Sequence, residues 1–277
     1  MLEIPEARNV ARQLKETLLG KTITKAVAAS SPHGFAWYFG DPAVYGDMLS
    51  GKKITDTEAY GGRPEIWAED MRISFADGAN VRYYETADKE PAKHQLWLEF
   101  DKGGFICCTV QMYAAIFAFP EGANDDNFYY NVGKVKPSPL TDEFDAAYFA
   151  SLLTDDTKKV SAKAFLASEQ RIPGLGNGVL QDILWTAKIH PKRKMAMLTD
   201  CEFETMFDTV KTLLSEMTEQ GGRDTEKDIF GKPGGYVTVM SKKNDGAPCP
   251  VCGTPIRRFS YMGGNVYVCE GCQGTEK

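Results

Sequence analysis

Four of the seven cysteines stand as Cys249-x2-Cys252, sixteen intervening residues, and Cys269-x2-Cys272. Each pair closes a tight knuckle whose two thiolates point at one ion. Two knuckles complete a tetrahedral set with no open position, the ligand pattern of a structural Zn2+. Disulfides are the alternative use of such pairs. The chain opens Met-Leu-Glu-Ile-Pro-Glu, with charges where a signal peptide needs an apolar run, so a reducing cytoplasm is expected and metal binding is favoured. Between the pairs, Pro255–Tyr261 and Val266–Val268 are strand-like and Met262-Gly263-Gly264-Asn265 joins them. Residues 246–277 are therefore expected to form a β-hairpin capped by one zinc ion. Cys107, Cys108 and Cys201 lie in apolar or amphipathic surroundings and read as small buried hydrophobes.

With 277 residues, 25% of them charged and 43% hydrophobic, the chain can bury a core and need not be disordered. No run approaches the roughly 18 apolar residues of a membrane span, so a soluble protein is expected. Lys plus Arg total 32 against 38 for Asp plus Glu, a net charge of -6, which argues against a polyanion binder working by bulk charge. The distribution is uneven: residues 1–150 carry -7 and residues 151–277 carry +1. Lys188, Lys192, Arg193 and Lys194 cluster, and Lys232, Lys242, Lys243, Arg257 and Arg258 face only Asp245 across their span. Any nucleic-acid contact is expected from the C-terminal half; solvated loops are the plain alternative.

Along the chain, Val10, Leu14 and Leu18 ending at Gly20 predict an amphipathic helix. Strand-like runs follow at Thr22–Val27, Gln95–Phe100, Phe105–Val110 and Ile116–Phe119, punctuated by turn signals at Asp77-Gly78 and Asp101-Lys102-Gly103-Gly104. Residues 1–125 thus read as a mostly antiparallel β-domain with a leading helix. Residues 126–140, between Pro/Gly/Asp-rich stretches, read as a hinge. Helical patterns then run through Phe144–Leu152, Ser161–Ser168, Val179–Leu184 and Phe203–Leu214, giving a helical domain over 141–245. A glycine-rich turn that opens a helix, as at Gly174-Leu175-Gly176-Asn177, can present backbone amides to a phosphate, although such a turn is usually only a turn.

The run Glu169-Gln170-Arg171-Ile172-Pro173-Gly174-Leu175-Gly176-Asn177, then Ile183-Leu184 and Ile189-His190-Pro191, resembles the helix-two-turn-helix element of the formamidopyrimidine-DNA glycosylase and endonuclease VIII family. The resemblance extends to the hairpin and its cysteines. Gly221-Gly222-Arg223-Asp224 and Lys232–Tyr236 are similar to the family's flexible loop over the damaged base. Residues 150–275 match closely and the first 125 match in order and strand rhythm. The resemblance implies an α+β protein: an N-terminal antiparallel β-sandwich with a leading helix, a helix-two-turn-helix domain and a zinc-finger β-hairpin. It implies base excision from damaged double-stranded DNA by a monomer, in which a base is flipped out, its glycosidic bond cleaved and the backbone sometimes nicked. DNA contacts are implied at Lys163, Gly176, Asn177, Arg257 and Arg258.

The chain departs from the family at its start. The family begins Met-Pro-Glu and exposes a proline amine that attacks the sugar C1′; here position 2 is Leu2, a poor context for removal of the initiator, so the mature chain is expected to begin with the primary amine of Met1. Glu3 keeps the family position, which implies that it protonates the sugar ring oxygen or activates water. Glu6 is also kept, with a supporting or substrate-contact role. Both acids also suit the first turn of a helix on dipole grounds alone. A catalytic lysine of the β-domain aligns best with Gly61-Gly62-Arg63, which has none; a second register places Lys93-His94 there, although Ala92-Lys93-His94 suits a later strand. The hairpin arginine five residues before the third cysteine is Gly264, with Asn265 as its possible substitute. Gln111-Met112-Tyr113 resembles the Gln-Leu-Tyr wedge that fills the gap of a flipped base, with a strand end and core Met and Tyr as the alternative. The resulting expectation is a glycosylase working through Glu3 with weak or absent lyase chemistry. A silent binder of damaged DNA and a zinc-stabilised RNA-binding module remain the alternatives.

Overall fold

The computed structural model describes residues 1–86, 91 and 93–275. Its first helix, α1 (Ile4–Leu18), carries Pro5 in the opening turn, where a missing N–H costs nothing, and is followed by Gly20 at φ +76°. Strands β1 (Ile23–Ala28) and β2 (Ala36–Trp37), the short helix α2 (Tyr45–Leu49), and strands β3 (Ile54–Tyr60), β4 (Arg63–Ala68), β5 (Met71–Tyr84), β6 (Leu96–Phe100) and β7 (Phe105–Pro120) complete the first part. Their order across the sheet is β1-β6-β7-β5-β4-β3, antiparallel throughout except where β2 pairs with β7 in parallel.

Two long strands shape this sheet. β5 and β7 have 14 and 16 residues, and their register slips between Asp77 and Ala79. On one side of the slip β7 pairs with β6; on the other β5 pairs with β4. The two halves form two layers around one core that includes Ile54, Ile66 and Ile73 from one and Val81, Leu98 and Ile106 from the other. Asp77-Gly78, expected as a turn between strands, is thus a bulge inside β5. Likewise Phe105–Val110 and Ile116–Phe119 are halves of one strand. The reason is close approach: a Cβ at Gly78 would overlap the carbonyl oxygens of Gln111 and Tyr113 across the kink.

The segment read as a hinge holds helix α3 (Phe128–Val135), whose Asn127 side chain accepts from Tyr130 N at 3.2 Å. Helices α4 (Ala146–Ser151), α5 (Ala162–Ala167), α6 (Val179–Thr186) and α7 (Asp200–Glu219) then pack around Phe144, Phe149, Phe165 and Leu214. Cys201 lies in the first turn of α7, off its buried face, and is exposed rather than buried as expected; Cys107 and Cys108 are buried. The hairpin β8 (Arg257–Tyr261) and β9 (Gly264–Val268) and the short α8 (Glu270–Gln273) close the chain. Helix α1 joins the two parts: Val10, Leu14 and Leu18 sit in the sheet core and Ile4 in the helical core. Among the described residues no helix is long and apolar enough to cross a membrane.

Candidate nucleic-acid interface

The N-terminal residues run through the seam between sheet and helices, and each is held. The Met1 ammonium lies 2.6 Å from Glu226 Oε2, in the loop after α7. Leu2 N donates to the carbonyl of Asp77, at the β5 kink, at 2.8 Å. Glu3 accepts from the backbone amides of Gly178 (2.9 Å) and Val179 (2.7 Å), the start of α6, where unpaired N–H groups favour an anion. Arg223 donates to Glu6 from its backbone N, Nε and Nη2, at 2.9 to 3.0 Å, and its Nη1 stands 3.6 Å from Glu3. All three side chains are buried.

The electrostatics of this triad follow from burial. Burial raises the Glu3 carboxyl above the ordinary carboxylate range; Arg223 opposes the rise, Glu6 adds to it, and the two amides oppose it. For Arg223 burial alone favours the neutral form, but Glu3 and Glu6 outweigh it and the guanidinium stays charged. Glycines make this packing possible. A Cβ at Gly176 would press on the Glu3 carboxylate, and one at Gly178 would overlap the Arg223 guanidinium.

The glycine turn before α6 meets the sheet as well. Gly174, at φ +81°, abuts Gly61 and Gly62 of the β3–β4 turn, and Gly62 abuts the carbonyl of Leu2. Beyond the turn, Asn177 Nδ2 and Gln181 Nε2 both donate to the Asn265 carbonyl at 3.0 Å, fixing the hairpin to α6. Lys163 was expected to reach DNA. It is instead buried, with Nζ donating to the Tyr261 carbonyl at 2.7 Å, because α5 packs beneath the hairpin. Arg257 and Arg258 are exposed on β8, paired with Glu270 (3.4 Å) and Asp245 (3.1 Å). Gln111, Met112 and Tyr113 sit at the kink of β7 facing Asp77-Gly78. Met112 has φ +68° and is 69% exposed, so it is no core residue. Tyr113 lies against Trp37, ring centroids 5.9 Å apart.

Residues 135–228 match the family model of the formamidopyrimidine-DNA glycosylase H2TH domain. Formamidopyrimidine-DNA glycosylases of Symbiobacterium thermophilum and Cronobacter sakazakii are each 28% identical to this chain over 99% of its length, covering 89% and 100% of their own. The fold matches that of the Lactococcus lactis Fpg in complex with an abasic site containing DNA, at a TM-score of 0.82 and 22% identity over 99% of this chain and 100% of that one. It also matches the MutM (Fpg) protein of Thermus thermophilus, at 0.81 and 21% over 98% of each. The chain thus matches the glycosylase H2TH domain over that segment and is similar to formamidopyrimidine-DNA glycosylases over nearly its whole length.

The four hairpin cysteines converge: their sulfurs all lie within 4.8 Å of one another. Cys249 and Cys272 stand 3.7 Å apart, Cys252 and Cys269 3.3 Å, and Cys252 and Cys272 3.5 Å. A tetrahedral ion with Zn–S of about 2.3 Å needs sulfurs about 3.8 Å apart, so the set fits a metal ion with no ligand to add. Arg63 opens β4 in the turn where the family lysine was sought. Its Nη1 is buried with no hydrogen-bond partner among the described residues. For the second register, Lys93 and His94 precede β6 and Ala92 lies outside the described residues. Sequence reasoning gave no site role to Arg63, Asp77 or Glu226, and took Arg223 only as part of the segment that is similar to the family's loop over the base. The signals were an arginine after Gly61-Gly62, another after Gly221-Gly222, and an acid beside the Gly78 bulge.

Proposed function

We propose that this protein is a base-excision repair glycosylase that binds damaged duplex DNA and hydrolyses the N-glycosidic bond of an oxidised base, with little or no strand nicking. The observation that carries the reading is the setting of Glu3. It stands at the junction of the N-terminal segment, the first amides of α6 and the loop after α7, so one carboxylate joins three elements at the seam between sheet and helices. Two of its roughly four lone-pair positions take amide protons, which leaves acceptor capacity for a water. The rise that burial gives its carboxyl makes it a stronger base than a free glutamate.

Lyase chemistry would need an unprotonated amine at the sugar C1′. Here Met1 stands ahead of Leu2, and its ammonium is engaged by Glu226. The β3–β4 turn carries Arg63, which as a permanent cation cannot serve as the nucleophile. Cys249, Cys252, Cys269 and Cys272 would hold a single zinc ion that keeps the hairpin folded, with no open position for catalysis. A binder without catalysis is the second reading, favoured by the same Met1–Glu226 pair.

Incubation with duplexes containing an abasic site, an oxidised purine or an oxidised pyrimidine, scoring base release separately from nicking, decides between them. Base release that leaves an unnicked abasic site is expected. Tight binding with no release on any substrate supports the silent binder, and efficient borohydride trapping of the unmodified chain refutes the hydrolytic reading.

A further inference from the structure

Residues 221–236 follow α7 and include both segments that resemble a flexible loop. Surface loops keep their backbone in water and contribute few side chains to a core. Ile229, near the tip of this one, is instead fully buried, and it belongs to the sheet core that includes Val10, Leu14 and Val81 rather than to the helical core that α7 serves. Its carbonyl accepts from Tyr83 N, at the end of β5, at 2.8 Å. The Phe230 ring meets Tyr83 edge-on, centroids 6.3 Å apart.

Helix α1 supplies the seat. Glu6, Asn9 and Gln13 stand three and four residues apart, on one face of the helix, and all three are buried. Each takes a part of the loop. Glu6 takes Arg223, Asn9 Nδ2 donates to the Gly221 carbonyl at 3.0 Å, and Gln13 donates to Asp228 Oδ2 at 2.9 Å while accepting from Ile229 N at 3.3 Å. The gap bounded by Glu6, Asn9, Val10, Gly221 and Asp228 has no room for water. Lifting the loop would leave buried amides without partners and expose an isoleucine, so the seated state is strongly favoured. The loop is also braced within itself. Tyr236 N donates to the Gly222 carbonyl at 3.0 Å, Asp224 N to that of Tyr236 at 2.8 Å and Asp228 N to that of Lys232 at 2.8 Å, so its tip and its base move as one body.

We propose that residues 221–232 are a fixed strap, seated on α1 in the absence of DNA, and that Asn9, Gln13 and Ile229 are positioning residues that keep Arg223 on Glu3 and Glu6. The bearing on catalysis rests on the role of Glu3 given above. Arg223 opposes the rise that burial imposes on the Glu3 carboxyl, so a strap that lifts would push that carboxyl further up. Through Arg223, an isoleucine in the sheet core thus sets the charge state of a carboxylate at the seam.

The test is amide exchange and carboxyl titration on the full chain without DNA. In the wild type the bonded amides of Asp224, Asp228 and Ile229 are expected to exchange as slowly as those of β5, within about tenfold. Ile229→Ala should speed exchange in 222–236 by roughly thirtyfold or more, the scale of truncating a buried isoleucine, with β3 and β4 unchanged. Ile229→Val should restore most of the protection. Gln13→Ala, which leaves the apolar core in place, serves if Ile229→Ala does not fold. By carbon-13 NMR of labelled glutamate, assigned through Glu3→Gln, the Glu3 midpoint should move up in Ile229→Ala and return in Ile229→Val. The acid limb of any base release should move with it, because a general base must be ionised. A wild-type loop that exchanges like an unfolded segment overturns the strap, and faster exchange in Ile229→Ala with an unmoved Glu3 midpoint overturns the positioning role. Exchange and titration use no DNA, so a chain that fails to bind an abasic duplex refutes the DNA-binding reading and leaves the strap to be decided by those two measurements.

Discussion

Arg223 holds two buried carboxylates at once, and its removal shows what the triad is worth. Arg223→Ala leaves Glu3 and Glu6 buried without their cation, which is expected to cost about 3–5 kcal/mol of unfolding free energy. The sign with pH is set by burial, which raises the Glu3 carboxyl further once the arginine no longer opposes it. The folded variant then binds more protons than its unfolded chain, so its stability recovers as pH falls from 8 towards 5, and denaturant unfolding across that range should show the gap to wild type narrowing. Glu3→Gln keeps shape but removes the base. It should abolish any base release while leaving zinc content unchanged, as assayed by single-turnover kinetics and elemental analysis. That Glu3 and Glu6 are candidates was legible from their place in the chain. That Arg223 ties them together was not, because the contact spans 217 residues and local sequence carries no trace of it.

At the scale of elements, the hairpin is fastened by polar contacts to helices as well as by its cysteines. Asn177 and Gln181 share the Asn265 carbonyl, and Lys163 takes that of Tyr261. Asn177→Ala should therefore weaken binding to an abasic duplex chiefly by loosening the hairpin. Its signature would be faster amide exchange in 257–268 with unchanged exchange in the sheet. Chelation of the metal should go further, melting residues 248–273 while α1 and the sheet keep their protection, since the sheet core and the cysteines share no cluster. The β5–β7 kink offers a third test. Gly78→Ala forces a methyl group onto the carbonyls of Gln111 and Tyr113, and should cost about 1–3 kcal/mol in denaturant unfolding. The strands on either side were readable from alternation. Their continuity through the kink was not, because Asp-Gly is equally a turn signal and only the facing bulge at Met112 makes it part of a strand.

The whole molecule carries a net charge of -6, and several of its surface cations are already matched: Arg257 with Glu270, Arg258 with Asp245, Arg193 with Glu202. Such exposed pairs contribute little to stability, but they reduce the free charge offered to a phosphate backbone. Binding to duplex DNA is therefore expected to depend on salt only moderately, with a log–log slope shallower than about -5, the value for about six phosphates. A slope near -9 would mean that these pairs open on DNA. Helix α1 makes the two parts one unit, Ile4 in the helical core and Leu14 in the sheet core. Ile4→Ala should cost about 2–5 kcal/mol and lower the unfolding midpoint of both parts together.

By itself the sequence determined what local spacing encodes: four thiolates at knuckle distance, the helical and strand periods, the glycine turn before Asn177, and the acids at positions 3 and 6. Metal ligation, periodicity and turn geometry act over a few residues, so a linear reading recovers them. Tertiary structure alone decided which groups meet across the seam. It turned Lys163 inward under the hairpin, set Arg223 between Glu3 and Glu6, closed Met1 on Glu226, and left Arg63 Nη1 without an acceptor among the described residues. Each of these is a pairing of charges or dipoles brought together only when the sheet and helices pack. Its energy depends on burial, which no single segment possesses before the fold forms.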